Sequence, residues 1–309
     1  MASFSFNFTV DDSVTDAGAA QATTSLEKKT HALAAPKPTH HTRHGERFHW
    51  QPSTAAEFSL AQIPIADPSV EFALVNTTDQ AFLSKTGAIH SILTTSDLQA
   101  GVYEGGFKLW ECAVDLVKYV ELLLRANDMT TGHPVFRMPS KVMELGCGHG
   151  IPGIHALQRG ADQVTFMDYN KEVLELTTCP NVLKNVGGDA STYAKASFYA
   201  GAWASVSEYM QSVEGQSYEE TQYDLILTAE TIYTEAVTVE LYEMIKRHLR
   251  QDSASMALVA AKKYYFGTNG SVQHFLDVVQ AEGIFKTEIV WEERDYRSNI
   301  REIVKVTYA

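Results

Sequence analysis

Residues 142–150, Val-Met-Glu-Leu-Gly-Cys-Gly-His-Gly, carry the densest chemical signal in the chain. An apolar stretch reaches an acid, Glu144, a glycine-rich turn follows, and Pro152 stands where the first turn of a helix would begin. Glycine is needed where backbone turns with positive φ and lets a ligand lie against it. The free N–H groups of a helix start attract an anionic group. Gly146, Gly148 and Gly150 alternate with Cys147 and His149, whereas a dinucleotide fingerprint would put a glycine at 151, which is Ile151 here. The next strand ends in Asp168, an acid able to accept from both hydroxyls of a ribose. A second set lies in Leu227-Thr-Ala-Glu-Thr-Ile-Tyr233, directly after another apolar stretch. At the carboxyl end of a central strand, side chains project into the crevice where open α/β sheets bind ligands. Glu230 and Tyr233 are three apart, so they share a face if the segment turns helically.

The elements that must position these residues follow from periodicity. Apolar positions recur at three and four from Phe107 to Leu124, which predicts an amphipathic helix. Beyond it, predicted strands at Lys141–Leu145, Gln163–Asp168, 197–201, 223–228 and Met256–Lys262 alternate with helices at 151–159, 171–185, 203–211 and 235–250. A further helix at 271–281 precedes two closing strands, 284–291 and 300–308, which form a hairpin and put one antiparallel strand into the sheet. Such alternation predicts a doubly wound α/β fold with a mainly parallel sheet.

The 309 residues leave room for one large domain and an extension. Three units are expected: 1–50, a short strand motif with alternating Phe4, Phe6 and Phe8 and then a flexible tail; 51–106, an extension packing on the core; and 107–309, the catalytic-type domain. His31, His40, His41, His44 and His49 fall in the first unit, where a polar linker offers no rigid shell to orient a metal, so no metal is expected. The net charge of −13 disfavours a phosphate backbone and favours a basic protein partner. Cys112, Cys147 and Cys179 lack paired spacing and read as reduced thiols. No apolar run reaches membrane-span length, and the amino terminus carries acids where a secretory signal carries bases. A soluble cytoplasmic or nuclear monomer is the expectation.

The glycine turn, Glu144 and Asp168 resemble class I methyltransferases, with a seven-stranded Rossmann-like sheet, over about residues 100–309. Phe4-Ser-Phe-Asn-Phe8, 101–112 (Gly-Val-Tyr-Glu-Gly-Gly-Phe-Lys-Leu-Trp-Glu-Cys), Asp168-Tyr-Asn170, Pro180-Asn-Val182, 223–233 and Lys263-Tyr-Tyr-Phe-Gly267 narrow this. Together they are similar to the histidine protein N-methyltransferases, whose members methylate a histidine of a large-subunit ribosomal protein. Phe266-Gly-Thr-Asn-Gly270 has fewer glycines than that family. The resemblance implies S-adenosylmethionine as methyl donor and a protein, not a nucleic acid or membrane, as acceptor. It implies that Trp110, Glu144, Gly146, Cys147, Gly148, Gly150, Asp168, Tyr169, Asn170, Trp203 and Thr228 hold the donor. Glu144 would face its amino group and Asp168 its ribose, while Trp203 equally suits core packing. Glu230, Tyr233 and Glu104 are the candidates for orienting the acceptor. His149, His155 and Cys147 are read as incidental to the chemistry, and His274 as a surface histidine that could reach an acceptor channel. A lysine or small-molecule acceptor on the same fold, and a docking module without catalysis, are the competing readings.

Overall fold

The computed structural model describes residues 43–51, 58–65, 70–126, 136–294 and 300–309. Phe4, Phe6, Phe8, His31, His40 and His41 lie outside the described residues. In chain order the strands are β1 (Glu46–Arg47), β2 (Leu60–Ile65), β3 (Val70–Val75), β4 (Lys141–Leu145), β5 (Gln163–Asp168), β6 (Ala196–Ala200), β7 (Leu225–Ala229), β8 (Met256–Lys262), β9 (Phe285–Glu293) and β10 (Arg301–Tyr308). The main helices are α1 (Glu111–Arg125), α2 (Ile151–Gln158), α3 (171–185), α4 (Trp203–Ser212), α5 (Glu235–His248) and α6 (Val272–Glu282).

Eight strands form one sheet in the order β1-β6-β5-β4-β7-β8-β10-β9, with β4, β5, β6, β7 and β8 mutually parallel. The β9–β10 hairpin is as expected, with β10 antiparallel to β8. The expected seven strands gain an eighth, because Glu46 and Arg47, grouped in sequence with the tail, pair antiparallel with Ala200 and Tyr199. Without that pairing β6 would present an open edge.

Every residue of β8 is buried, and four of the five in β4. β8 is apolar up to its last residue, as a strand covered on two faces must be. Chain order reverses at β4, whose neighbours are β5 and β7, so the carboxyl ends of these strands splay into a crevice. Phe58 and residues 75–107 pack on α3 through a small core of Val75, Phe82, Ile89, Tyr103, Phe107 and Val173. A buried side chain of this kind stabilises by about 2 kcal/mol. Asn181 and Asn185 of α3 stitch β3 in place, accepting from Val75 N at 2.7 Å and Ala73 N at 3.0 Å.

Two helical expectations shift. The helix predicted from Phe107 begins only at Glu111. The phenolic oxygen of Tyr103 accepts from Phe107 N at 2.9 Å and the Phe107 carbonyl bonds His149, which holds that turn out of the helix. The 171–185 helix is continuous but contains a π turn at Leu174–Thr178. Pro180 cannot donate a backbone hydrogen bond, and the ladder widens just before it.

Candidate functional site

A cavity of about 720 Å³ occupies the crevice at the ends of β4, β5, β7 and β8. Its floor is the glycine turn. Gly146 has φ +63°, and a Cβ there would stand 2.6 Å from Thr231 Cγ2. A Cβ on Gly148, at φ +49°, would press to 3.1 Å on the Gly106 carbonyl oxygen. The cradle is therefore open only because side chains are missing.

Two carboxylates stand beside it. Asp168 is 4% exposed; its Oδ2 accepts from Gly148 N and its Oδ1 from Asn170 N, both at 3.0 Å. Burial raises its pKa to about 6 against the pull of those two N–H groups, with Glu104 and Glu172 adding to the rise. Glu144 Oε2 accepts from Gly153 N at 2.8 Å, in the first turn of α2. A Cβ on Gly153 would lie 2.6 Å from that oxygen, so glycine at 153 is what admits the contact. Burial pushes the Glu144 carboxyl well above the usual range.

A loop at 101–107 closes the cavity from above. Asn170 Nδ2 donates to Val102 O at 2.8 Å, and Glu104 N donates to Asn170 Oδ1 at 3.0 Å. Tyr169 OH donates to Gly101 O at 3.0 Å. His149 is buried, which holds its pKa down near 4, so the ring is neutral and its Nε2–H donates to Phe107 O at 2.9 Å. The ring read as incidental thus ties the glycine turn to the loop above it. His155 stays remote from the cavity and pairs with Glu121.

On the opposite wall, Glu230 follows β7 with φ +60°, a strained conformation for a residue bearing a side chain. Its carboxylate is buried, and neither oxygen has a hydrogen-bond donor among the described residues. Lys262 Nζ lies 3.7 Å from Glu230 Oε1. The thiol of Cys112 is pushed well up, first by burial and then by the Glu230 charge. Tyr233 OH donates to Glu104 Oε2, joining the β7–α5 turn to the 101–107 loop. Burial, and then the Glu104 charge, raise the Tyr233 phenol well above its ordinary value, so it keeps its proton.

Of the residues singled out from sequence, Glu104, Trp110, Glu144, Gly146, Cys147, Gly148, Gly150, Asp168, Tyr169, Trp203, Glu230 and Tyr233 line this cavity. Asn170 and Thr228 do not: Asn170 is fully buried beneath the loop, and Thr228 Oγ1 donates to Leu145 O at 2.9 Å. Glu230 and Tyr233 do not share a helical face, because residues 230–234 are irregular and α5 starts only at Glu235, capped by Thr234. Tyr233 pairs with Glu104 instead. His274 does not line the cavity. Lys262, Gly106 and Gly153 were missed, and Lys262 left one signal: a lone charge ending an otherwise apolar strand. Among the described residues no group of three or more metal-ligating side chains converges, and no helix is long and apolar enough to cross a membrane.

A family model described as lysine methyltransferase matches residues 93–282. A Dictyostelium discoideum protein named histidine protein methyltransferase 1 homolog is 38% identical over 216 residues, 70% of this chain and 62% of that one. A Bos taurus protein of the same name is 36% identical over 216 residues, 64% of this chain and 54% of its own. The Schizosaccharomyces pombe histidine protein methyltransferase 1 is 29% identical over 254 residues, 66% and 70% of the two chains. This chain thus spans 62% and 54% of the length of the first two relatives.

Proposed function

The chain belongs to the lysine methyltransferase family, and from that premise we propose that it is an S-adenosylmethionine-dependent protein methyltransferase whose acceptor is a histidine side chain. The donor fits the cradle: Gly146 and Gly148 leave room for it, the start of α2 suits its carboxylate, and Asp168 suits its ribose. Trp203 and Tyr169 flank the same cavity. When bound, the donor supplies a methyl group on a positively charged sulfur.

The observation that carries the acceptor assignment is the Glu230 carboxylate in the wall of the donor cavity, whose oxygens receive no hydrogen bond among the described residues. A neutral imidazole, with an ordinary pKa of about 6.5, has one N–H to give and one lone pair free. Glu230 accepting that N–H fixes the tautomer and aims the other nitrogen into the cavity. It also takes up the ring proton once that nitrogen is alkylated. A lysine, at about 10.4, must first be deprotonated. Histidine is also the residue named for the relatives from Dictyostelium discoideum and Bos taurus. Tyr233 and Glu104 act as a positioning pair, clamping the loop over the site. Within this reading the acceptor protein is ribosomal and acted on in the cytoplasm or nucleus; a net charge of −13 suits a basic partner.

The test is to incubate the full chain with methyl-labelled donor and a ribosomal or cell extract, then locate the label by mass spectrometry. Label on a histidine is expected. Label on lysine, the residue of the family description, or on a metabolite would refute the assignment, and failure to bind donor by calorimetry would reduce the chain to a docking module.

A further inference from the structure

Glu230 and Lys262 form a charge pair that donor binding does not call for. Lys262 ends β8, whose other residues are all apolar, and its side chain is 4% exposed. At 3.7 Å from Glu230 Oε1, its Nζ is beyond a good hydrogen bond yet close enough for strong Coulomb attraction. The same Nζ stands 5.2 Å from the ring centre of Trp110 and 5.9 Å from that of Tyr265, so two aromatic faces accompany it. All four residues line the cavity. Burying an ammonium is costly, and apolar packing would serve the fold as well.

Resting on the reading that the acceptor is an imidazole, we infer that Lys262 is a specificity-determining residue that neutralises Glu230 and so excludes an ammonium acceptor. Alone, a buried carboxylate in this wall would draw in a lysine side chain. With Lys262 fixed beside it, an arriving ammonium meets a like charge and finds no uncompensated anion. A neutral imidazole escapes that repulsion. It still finds the Glu230 oxygens, which Lys262 leaves without a hydrogen bond. The repulsive element separates the two acceptors more sharply than added attraction for either would.

The experiment compares the full chain with Lys262→Met, Lys262→Gln and Lys262→Arg. Each is incubated with methyl-labelled S-adenosylmethionine and a whole-cell extract, which is then hydrolysed to separate labelled methylhistidine from methyllysine. Donor-site integrity is read in parallel by calorimetry with S-adenosylhomocysteine. Expected is a fall of about tenfold in the methylhistidine to methyllysine ratio for the Met and Gln variants, and retention of the ratio in the Arg variant. An unchanged ratio in a Met or Gln variant that binds S-adenosylhomocysteine overturns the inference. Loss of that binding in both overturns it too, since Lys262 would then be structural. Label chiefly on lysine with the unmodified chain, above that of the extract alone, defeats the histidine reading itself, before any variant is compared.

Discussion

Asp168 receives two backbone N–H bonds within the protein alone, and each of its oxygens keeps a further lone pair for a ribose hydroxyl. Its pKa near 6 makes that capacity depend on pH. As pH falls through about 6 the carboxyl takes a proton and one oxygen turns from acceptor to donor, so donor affinity should fall toward acid and level off above neutrality. Titration calorimetry with S-adenosylhomocysteine at several pH values checks this. Asp168→Ala should bind about 10- to 100-fold more weakly and lose the inflection, since hydrogen bonds to a charged group are worth about 1.5–3 kcal/mol. Glu230→Gln separates the other wall: turnover should drop about tenfold or more while donor affinity holds, because one acceptor oxygen becomes a donor. Equal losses in both would place Glu230 on the donor. Glu144, Gly146, Gly148, Gly150, Asp168 and Glu230 were all legible from residue type and order. Lys262 was not, because its role depends on which strand lies beside β7, and that is fixed by the sheet.

The 101–107 loop shows what an element adds to such residues. Period counting assigned Phe107 to a helix because its spacing fits. The fold uses that residue as a wedge under the loop, with its N–H on Tyr103 and its carbonyl on His149. Side-chain bonds between segments far apart in sequence override local periodicity, and no local pattern announces them. The π turn in α3 is similar: the period gave the helix, and Pro180 hinted at the break. Only the structure shows Thr178 Oγ1 donating to Gly148 O at 2.6 Å beneath the glycine turn. Asn170 is the element's keystone, fully buried and bonded to both Val102 and Glu104. Asn170→Ala leaves two backbone groups without partners, at a cost of about 2 kcal/mol or more. For a chain of this size that lowers the melting temperature by about 4 °C or more, and it should loosen the cover and weaken donor binding with it. Thermal melts with and without S-adenosylhomocysteine measure both effects; a normal melt with normal affinity would mean the loop is held by its apolar residues alone.

At the scale of the molecule, the rim of the cavity is braced by a segment no periodicity revealed. The mainly parallel character of the sheet and the closing hairpin were readable because strands and helices alternate along the chain, whereas the order of the strands across the sheet came from the structure. Residues 43–47 have no apolar period, and they are held by bonds to partners far along the chain. The Arg43 carbonyl accepts from Ala202 N at 3.0 Å, next to Trp203 on the cavity rim. The carbonyl oxygen of His44 sits 2.4 Å from where a Cβ on Gly201 would be, so the strap fits only against glycine. The Arg43 side chain reaches Glu172 at 3.0 Å and the Val102 carbonyl at 3.3 Å, with its guanidinium 5.6 Å from the Tyr169 ring centre. One side chain therefore touches the loop, the residue after β5 and the start of α3. Its ion pair is about one-third exposed on both partners, so its direct worth to stability is at most about 1 kcal/mol. Its larger effect should fall on the site, through Tyr169 and the loop that Tyr169 holds. Arg43→Ala is accordingly expected to shift the melting temperature by no more than about 2 °C yet to raise the donor dissociation constant about three- to tenfold. Arg43→Lys, which keeps the charge without the planar fork, should fall between the two. Unchanged affinity in Arg43→Ala would mean that the strap only covers the edge of β6.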